Sequence, residues 1–99
     1  MQGGDWKQLF KAAGDGDVEL VSFYIRAGIN PNYQHPEFFS TPLIESAQNG
    51  HLEVVEFLLQ NGADPNIKSD FDGLTALETA QEFRRAKVIA HLEQYLKAN

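Results

Sequence analysis

The sequence predicts an all-α solenoid in which three helix–turn–helix units stack side by side, joined by hairpin-like loops. Three observations predict it. A pattern recurs at an offset of 34 residues. Glycines and prolines recur with it, at places where helices must end. Between them, the apolar residues follow helical spacing.

The repeat is read directly. Ala13-Gly14-Asp15-Gly16-Asp17-Val18-Glu19-Leu20-Val21 aligns with Ala47-Gln48-Asn49-Gly50-His51-Leu52-Glu53-Val54-Val55. The same offset pairs Gly28 with Gly62, Pro31 with Pro65 and Asn32 with Asn66. Onward it carries Thr41 to Thr75, Leu43 to Leu77, Val54 to Val88, Val55 to Ile89 and Leu58 to Leu92; backward it carries Leu43 to Leu9.

The second unit shows the local logic. Thr41 is a good N-cap, and Pro42 stands at the first helical position, where a missing N–H costs nothing. Gly50 breaks that helix. Leu52, Val54, Val55, Leu58 and Leu59 give the second helix its apolar face. Gly62 is a left-handed C-cap, and Asp64-Pro65-Asn66 turns the chain away. The first unit repeats this through Leu9-Phe10, Gly16, Leu20-Val21-Tyr24-Ile25 and Gly28. The third uses Thr75-Ala76-Leu77 and Val88-Ile89-Leu92. Helices are expected at about 5–13, 17–27, 41–49, 51–61, 75–82 and 85–97.

A period of 34 also suits tetratricopeptide repeats. The polar, turn-rich stretches from Asn32 to Thr41 and from Asn66 to Thr75 argue against those more tightly joined helices. Thr41-Pro42-Leu43, Gly73-Leu74-Thr75-Ala76-Leu77, Gly50-His51-Leu52-Glu53-Val54-Val55-Glu56-Phe57-Leu58-Leu59 and Asn61-Gly62-Ala63-Asp64-Pro65-Asn66 closely resemble the ankyrin-repeat consensus. The resemblance covers about residues 5–97 and implies an ankyrin-repeat solenoid forming one domain over 1–99, with repeats at about 5–32, 33–66 and 67–97. The family's signature histidine is replaced by Ile44 and Glu78, which implies a less tightly tied stack. Pro36 and Phe39 stand where the loop tip usually has Asp and Gly; the third unit keeps Asp70 and Gly73. The ordinary tight turn is therefore not expected at 36–39.

About three units are needed before every helix pair has a neighbour. With three present and a natural-looking Met1, we expect a complete small protein. Its end units should carry polar outer faces, from Lys7 and Lys11 at one end and from Arg84, Arg85 and Lys87 at the other.

Composition narrows the function. The chain has 99 residues, no cysteine and a net charge of −6. Residues 1–83 carry 13 acids and 4 bases, hence −9; residues 84–99 carry 4 bases and 1 acid, hence +3. An acidic body disfavours nucleic acid, whose affinity depends on neutralising phosphates. No run approaches the roughly 18 apolar residues of a membrane span, and the first residues lack the apolar core of a signal peptide. A cytoplasmic monomer is expected, without metal or cofactor.

No catalytic set is expected. His35, His51 and His91 fall in a loop, at a helix start and on the last helix. Phosphate loops, nucleophile elbows and zinc-protease motifs are missing. Asp70-Phe71-Asp72-Gly73 lacks the acidic spacing and closing glutamate of a calcium loop and reads as a turn.

The resemblance implies a protein-binding module whose partner meets the loop fingers and the first helices, as a small adaptor or inhibitor; a self-associating structural protein is the alternative. The matching finger positions are Glu37, Phe38, Ser40, Phe71, Asp72 and Leu74, with Trp6 in the equivalent place of the first unit. Gln48, Asn49, Glu82 and Phe83 match from the first helices. Trp6, Phe38, Phe39, Phe71 and Phe83 are expected to form an exposed aromatic strip, since interfaces are rich in aromatics. The alternative is that Phe39 or Phe71 shields a finger and Phe83 packs on the last helix. Neighbouring acids suggest a partner with a basic region.

Overall fold

The computed structural model describes residues 3–98. Met1, Gln2 and Asn99, the ends of the expected domain, lie outside the described residues. Six helices follow one another: α1 (Gly3–Asp15), α2 (Val18–Arg26), α3 (Pro42–Gln48), α4 (Leu52–Gln60), α5 (Ala76–Glu82) and α6 (Ala86–Ala98). Five match the expected bounds closely. α1 departs: it begins earlier and has 13 residues against the 7 of α3 and α5.

Capping explains the ends. The Thr41 hydroxyl accepts from Ile44 N at 3.3 Å, with Pro42 in the first turn of α3. Thr75 and Glu78 form a reciprocal capping box on α5. Asp17 accepts from Leu20 N at 3.1 Å on α2. His51, at the same place before α4, makes no such cap, because its ring is engaged elsewhere.

α1, α3 and α5 pack in one row, each against the next; α2, α4 and α6 form a second row behind them. The rows meet over small residues recurring at the 34-residue offset, Ala12, Ser46 and Ala80, all buried. Leu9, Leu43, Val21, Val54, Val55, Leu58, Val88 and Leu92 fill the core between them. A core running through all three units is what nearest-neighbour stacking requires.

The loops stand out as fingers and are stitched together by side chains. The Asn32 amide donates to Gly62 O at 2.9 Å and accepts from Asp64 N at 2.7 Å. The Gln34 amide donates to Lys68 O at 3.1 Å and accepts from Asp70 N at 3.2 Å.

Two expectations are corrected, one at a finger tip and one on an end face. The turn at 36–39 does form: Phe39 N donates to His35 O at 3.0 Å, as Gly73 N donates to Ser69 O at 2.8 Å. Phe39 achieves this by taking the glycine's left-handed conformation, φ 58° against 74°. Side chains other than the replaced signature histidine bridge the junctions. His51 Nε2–H donates to Gly14 O at 2.9 Å, Asn49 Nδ2 donates to the same oxygen at 3.0 Å, and Arg85 Nε donates to Gln48 O at 2.8 Å.

The end faces are not uniformly polar. Leu20 and Phe23 of α2 are exposed, Phe23 by 63%. Phe23 is equivalent to Phe57 and His91, and His91 reaches back to Glu56 of the preceding unit at 3.6 Å. That position therefore faces the preceding repeat, and Phe23 has none before it.

Candidate functional site

The expected binding residues fall on the first-helix row and on the fingers. α3 positions Gln48 and Asn49 at its C-terminal end, half-buried, and α5 positions Glu82 and Phe83, both exposed. The second finger carries Glu37, Phe38 and Ser40; the third carries Phe71, Asp72 and Leu74. Turn chemistry sets the third tip. Asp72 Oδ1 accepts from Leu74 N at 3.0 Å, and Ser69 Oγ accepts from Phe71 N at 3.0 Å. Phe71 on this tip is 82% exposed and is flanked in sequence by Asp70 and Asp72.

The aromatic residues do not form one continuous exposed strip. Trp6 is corrected outright: it is 3% exposed, and as placed it cannot offer its ring to a partner. It lies near the start of α1, and the second finger folds over it. Its ring stacks on Phe10 at 5.1 Å and on His35 at 5.7 Å, and it meets Phe38 at 5.8 Å and Tyr33 edge-on at 5.9 Å. Phe38 also stacks on Phe10 at 5.0 Å, so it closes this cluster while keeping a partly exposed surface. Phe39 and Phe83 are exposed by 45% and 43%.

The charges around the cluster are mutually satisfied. Lys7 Nζ lies 2.9 Å from Glu37 Oε1 and 5.9 Å from the centre of the Phe38 ring. The ammonium holds the exposed Glu37 carboxyl below its ordinary pKa, through the hydrogen bond first and the charge second. His35 Nδ1 accepts from Glu37 N at 3.1 Å, which fixes the finger's shape.

Between α1 and α3 lies an open cavity of about 280 Å³, lined by Phe10, Lys11, Gly14, Asp15, Glu45 and Asn49. Burial raises the Glu45 pKa, and a hydrogen bond from Asn49 partly opposes the rise. Sequence reasoning pointed to Asn49 but not to Glu45, Phe10 or Gly14. The available signal was Gly14, which replaces the side chain carried by Gln48 and Glu82 at the same place in later units.

Among the described residues no group of His, Cys, Asp and Glu is arranged to hold a metal ion, and no helix is long and apolar enough to cross a membrane. The three histidines sit apart, with His35 in the aromatic cluster, His51 on Gly14 O and His91 beside Glu56.

The helix pairs and their stacking agree with comparisons to known proteins. The family model for ankyrin repeats in three copies matches residues 9–98. The chain belongs to the ankyrin-repeat family. A search of curated proteins returns no match. Among solved structures, the chain is similar to one in the complex titled "Bd0816 Predatory Endopeptidase from Bdellovibrio bacteriovorus in complex with immunity protein Bd3460". The TM-score is 0.82 at 31% identity, over 89% of this chain and 45% of that one. The chain thus spans less than half the length of the solved chain it matches. Ankyrin repeats are protein-interaction modules, and exposed aromatic side chains lie on this one's fingers and first-helix row (Phe38, Phe39, Phe71, Phe83) and on α2 (Phe23).

Proposed function

We propose that this ankyrin-repeat chain is a non-catalytic binding module, an adaptor or inhibitor, that grips the basic region of a partner protein with its fingers and first-helix row. The observation that carries this reading is Phe71. A phenylalanine 82% exposed on a turn braced by Ser69 and Asp72 has no packing role in the fold. Large apolar side chains held rigidly in water cost solvation and are typical anchors of interfaces. Asp70, Asp72 and Glu82 surround the face with negative charge, which steers a basic partner. The similarity to a chain of an endopeptidase–immunity protein complex supports an inhibitor role.

The test is affinity capture from the native cell with the wild type and with Phe71→Ala, Phe71→Ala/Phe38→Ala and Asp72→Asn. A specific partner should be recovered, weakened by each change and released by salt. Recovery of no specific protein, or of one indifferent to Phe71, counts against the reading.

The exposed Leu20 and Phe23 favour self-association as the second reading. Light scattering at high concentration separates the two: the binding-module reading expects a monomer, and self-association expects a dimer lost on Phe23→Ser.

A further inference from the structure

The cavity between α1 and α3 holds a half-buried carboxylate whose charge is left open. Lys11 Nζ is already paired with Asp15 Oδ2 at 2.8 Å, so those two lining groups cancel. Among the described residues Glu45 has no such counter-ion: the groups acting on its carboxyl are its own burial and the neutral Asn49 amide. The lining therefore has one acid in excess. A carboxylate kept half out of water without a cation is unfavourable, and a cation brought to it relieves that cost.

The walls suit a particular kind of cation. Phe10 lines one side, backed by stacking on Trp6 and Phe38 at 5.1 and 5.0 Å, so its ring is fixed before anything binds. A fixed aromatic ring accepts both an alkyl stem and a positive head. Asn49 is tethered, with Nδ2 donating to Gly14 O at 3.0 Å.

The space itself has a cause in the repeat. A Cβ on Gly14 would lie 3.1 Å from Glu45 Cγ and 3.3 Å from Glu45 Oε2. One unit on, Gln48 fills the equivalent place, and the residue equivalent to Glu45 is Thr79, 2% exposed. The first junction thus differs from the second by a missing side chain and an added carboxylate.

We propose that the cavity between α1 and α3 receives one basic side chain of the partner protein, its cationic head on Glu45 and its stem against Phe10. This rests on the reading of the face as a protein-binding surface and names what the partner must bring to it: a lysine or arginine projecting far enough to reach between two helices.

The test needs no identified partner. Nα-acetyl-arginine amide and Nα-acetyl-lysine amide are titrated into the whole chain while backbone amide NMR signals are followed, with Nα-acetyl-citrulline amide as the neutral isostere. At least one cationic probe should shift Gly14, Glu45 and Asn49 saturably, with a dissociation constant on the order of 1–10 mM for so few atoms. Citrulline should not. Glu45→Gln should weaken binding at least tenfold. Gly14→Gln, which copies the second unit and suits a helix, should abolish it while leaving the spectrum of α5 and α6 unchanged. No saturable shift with either cation, an equal response to citrulline, or an undiminished response in Glu45→Gln or Gly14→Gln overturns the proposal. Partner capture that depends on Phe71 together with a silent titration removes the cavity alone. Capture indifferent to Phe71 leaves the titration to stand or fall by itself.

Discussion

His51 reaches across the first repeat junction to donate from Nε2–H to the Gly14 carbonyl at 2.9 Å, and 34 residues on Arg85 Nε donates to the Gln48 carbonyl at 2.8 Å. The two carbonyls belong to the last turns of α1 and α3, where oxygens lack helical partners. Different side chains thus perform the same task at the same register. Gly16 lies under the imidazole: a Cβ there would come within 2.6 Å of His51 Nδ1, and its φ is +78°. We expect His51→Ala to destabilise the fold by about 1–2 kcal/mol in urea denaturation. Gly16→Ala should cost at least as much, from clash and strain together. The double variant should lose less than the sum, because removing the ring removes the clash. Strict additivity would sink this account of the junction.

Arg84 occupies the place of Gly16 and Gly50 and takes their left-handed conformation at φ 59°. For a residue with a Cβ that conformation costs roughly 1–2 kcal/mol. Arg84→Gly should therefore raise stability by about 1 kcal/mol, less whatever the freer glycine adds to the unfolded state. Phe39 is the parallel case, at φ 58° where the third finger has Gly73. Phe39→Gly should leave the melting temperature equal or higher. A fall in partner capture at undiminished stability would then assign the strained ring to binding. A clear fall in melting temperature for both variants would contradict the strain argument.

The register of the fold was legible because it rests on local chemistry. Glycines at 16, 50 and 62, Thr41 with Pro42, and the spacing of Val54, Val55 and Leu58 each act within a turn or two. Trp6 was misread because the offset transfers register, not surroundings. Counting back from Ser40 gives it a finger's place in the pattern, but near the start of α1 its ring lies under Tyr33, His35 and Phe38 of the second finger. The turn at 36–39 was misread for the opposite reason. Backbone bonds from Phe38 N and Phe39 N to His35 O, and the finger contact from Asp70 N to Phe39 O at 2.8 Å, hold the conformation against the residue's own preference. The Glu45 cavity depends on an absent side chain one helix away, which no single-segment pattern displays.

Glu45 sets a pH dependence of definite sign. Burial raises its folded-state pKa above the ordinary 4.5, so the folded protein holds a proton that the unfolded chain releases. The carboxylate opposes folding above the raised pKa, and the opposition fades as pH falls towards 4.5. Measured against Glu45→Gln, the wild type should be the less stable at neutral pH, with the gap closing on acidification. Glu37 acts in reverse. Lys7 lowers its pKa, so its contribution is present above the ordinary 4.5 and is lost as pH falls through the lowered value. Urea midpoints of wild type, Glu45→Gln and Glu37→Gln across pH 3 to 8 check both signs. A Glu45 gap that widens on acidification would refute the burial argument.

Trp6 and Phe71 should respond in opposite ways to the same truncation. Trp6 is buried among four aromatic neighbours, so Trp6→Ala leaves a large cavity and should cost about 3–5 kcal/mol. That is a large share of the roughly 5–15 kcal/mol of a small domain. Phe71 is nearly free of the fold, and Phe71→Ala should stay within about 0.5 kcal/mol. Trp6 Nε1 is buried and has no hydrogen-bond partner among the described residues. Trp6→Phe keeps the aromatic packing and removes that unsatisfied donor, so it should cost far less than Trp6→Ala. Because Trp6 is the only tryptophan, its fluorescence reports this cluster alone. Emission should be blue-shifted in the folded state and move red at the same urea midpoint as the helical circular dichroism. A red-shifted native emission would mean that the ring is not seated beneath the second finger.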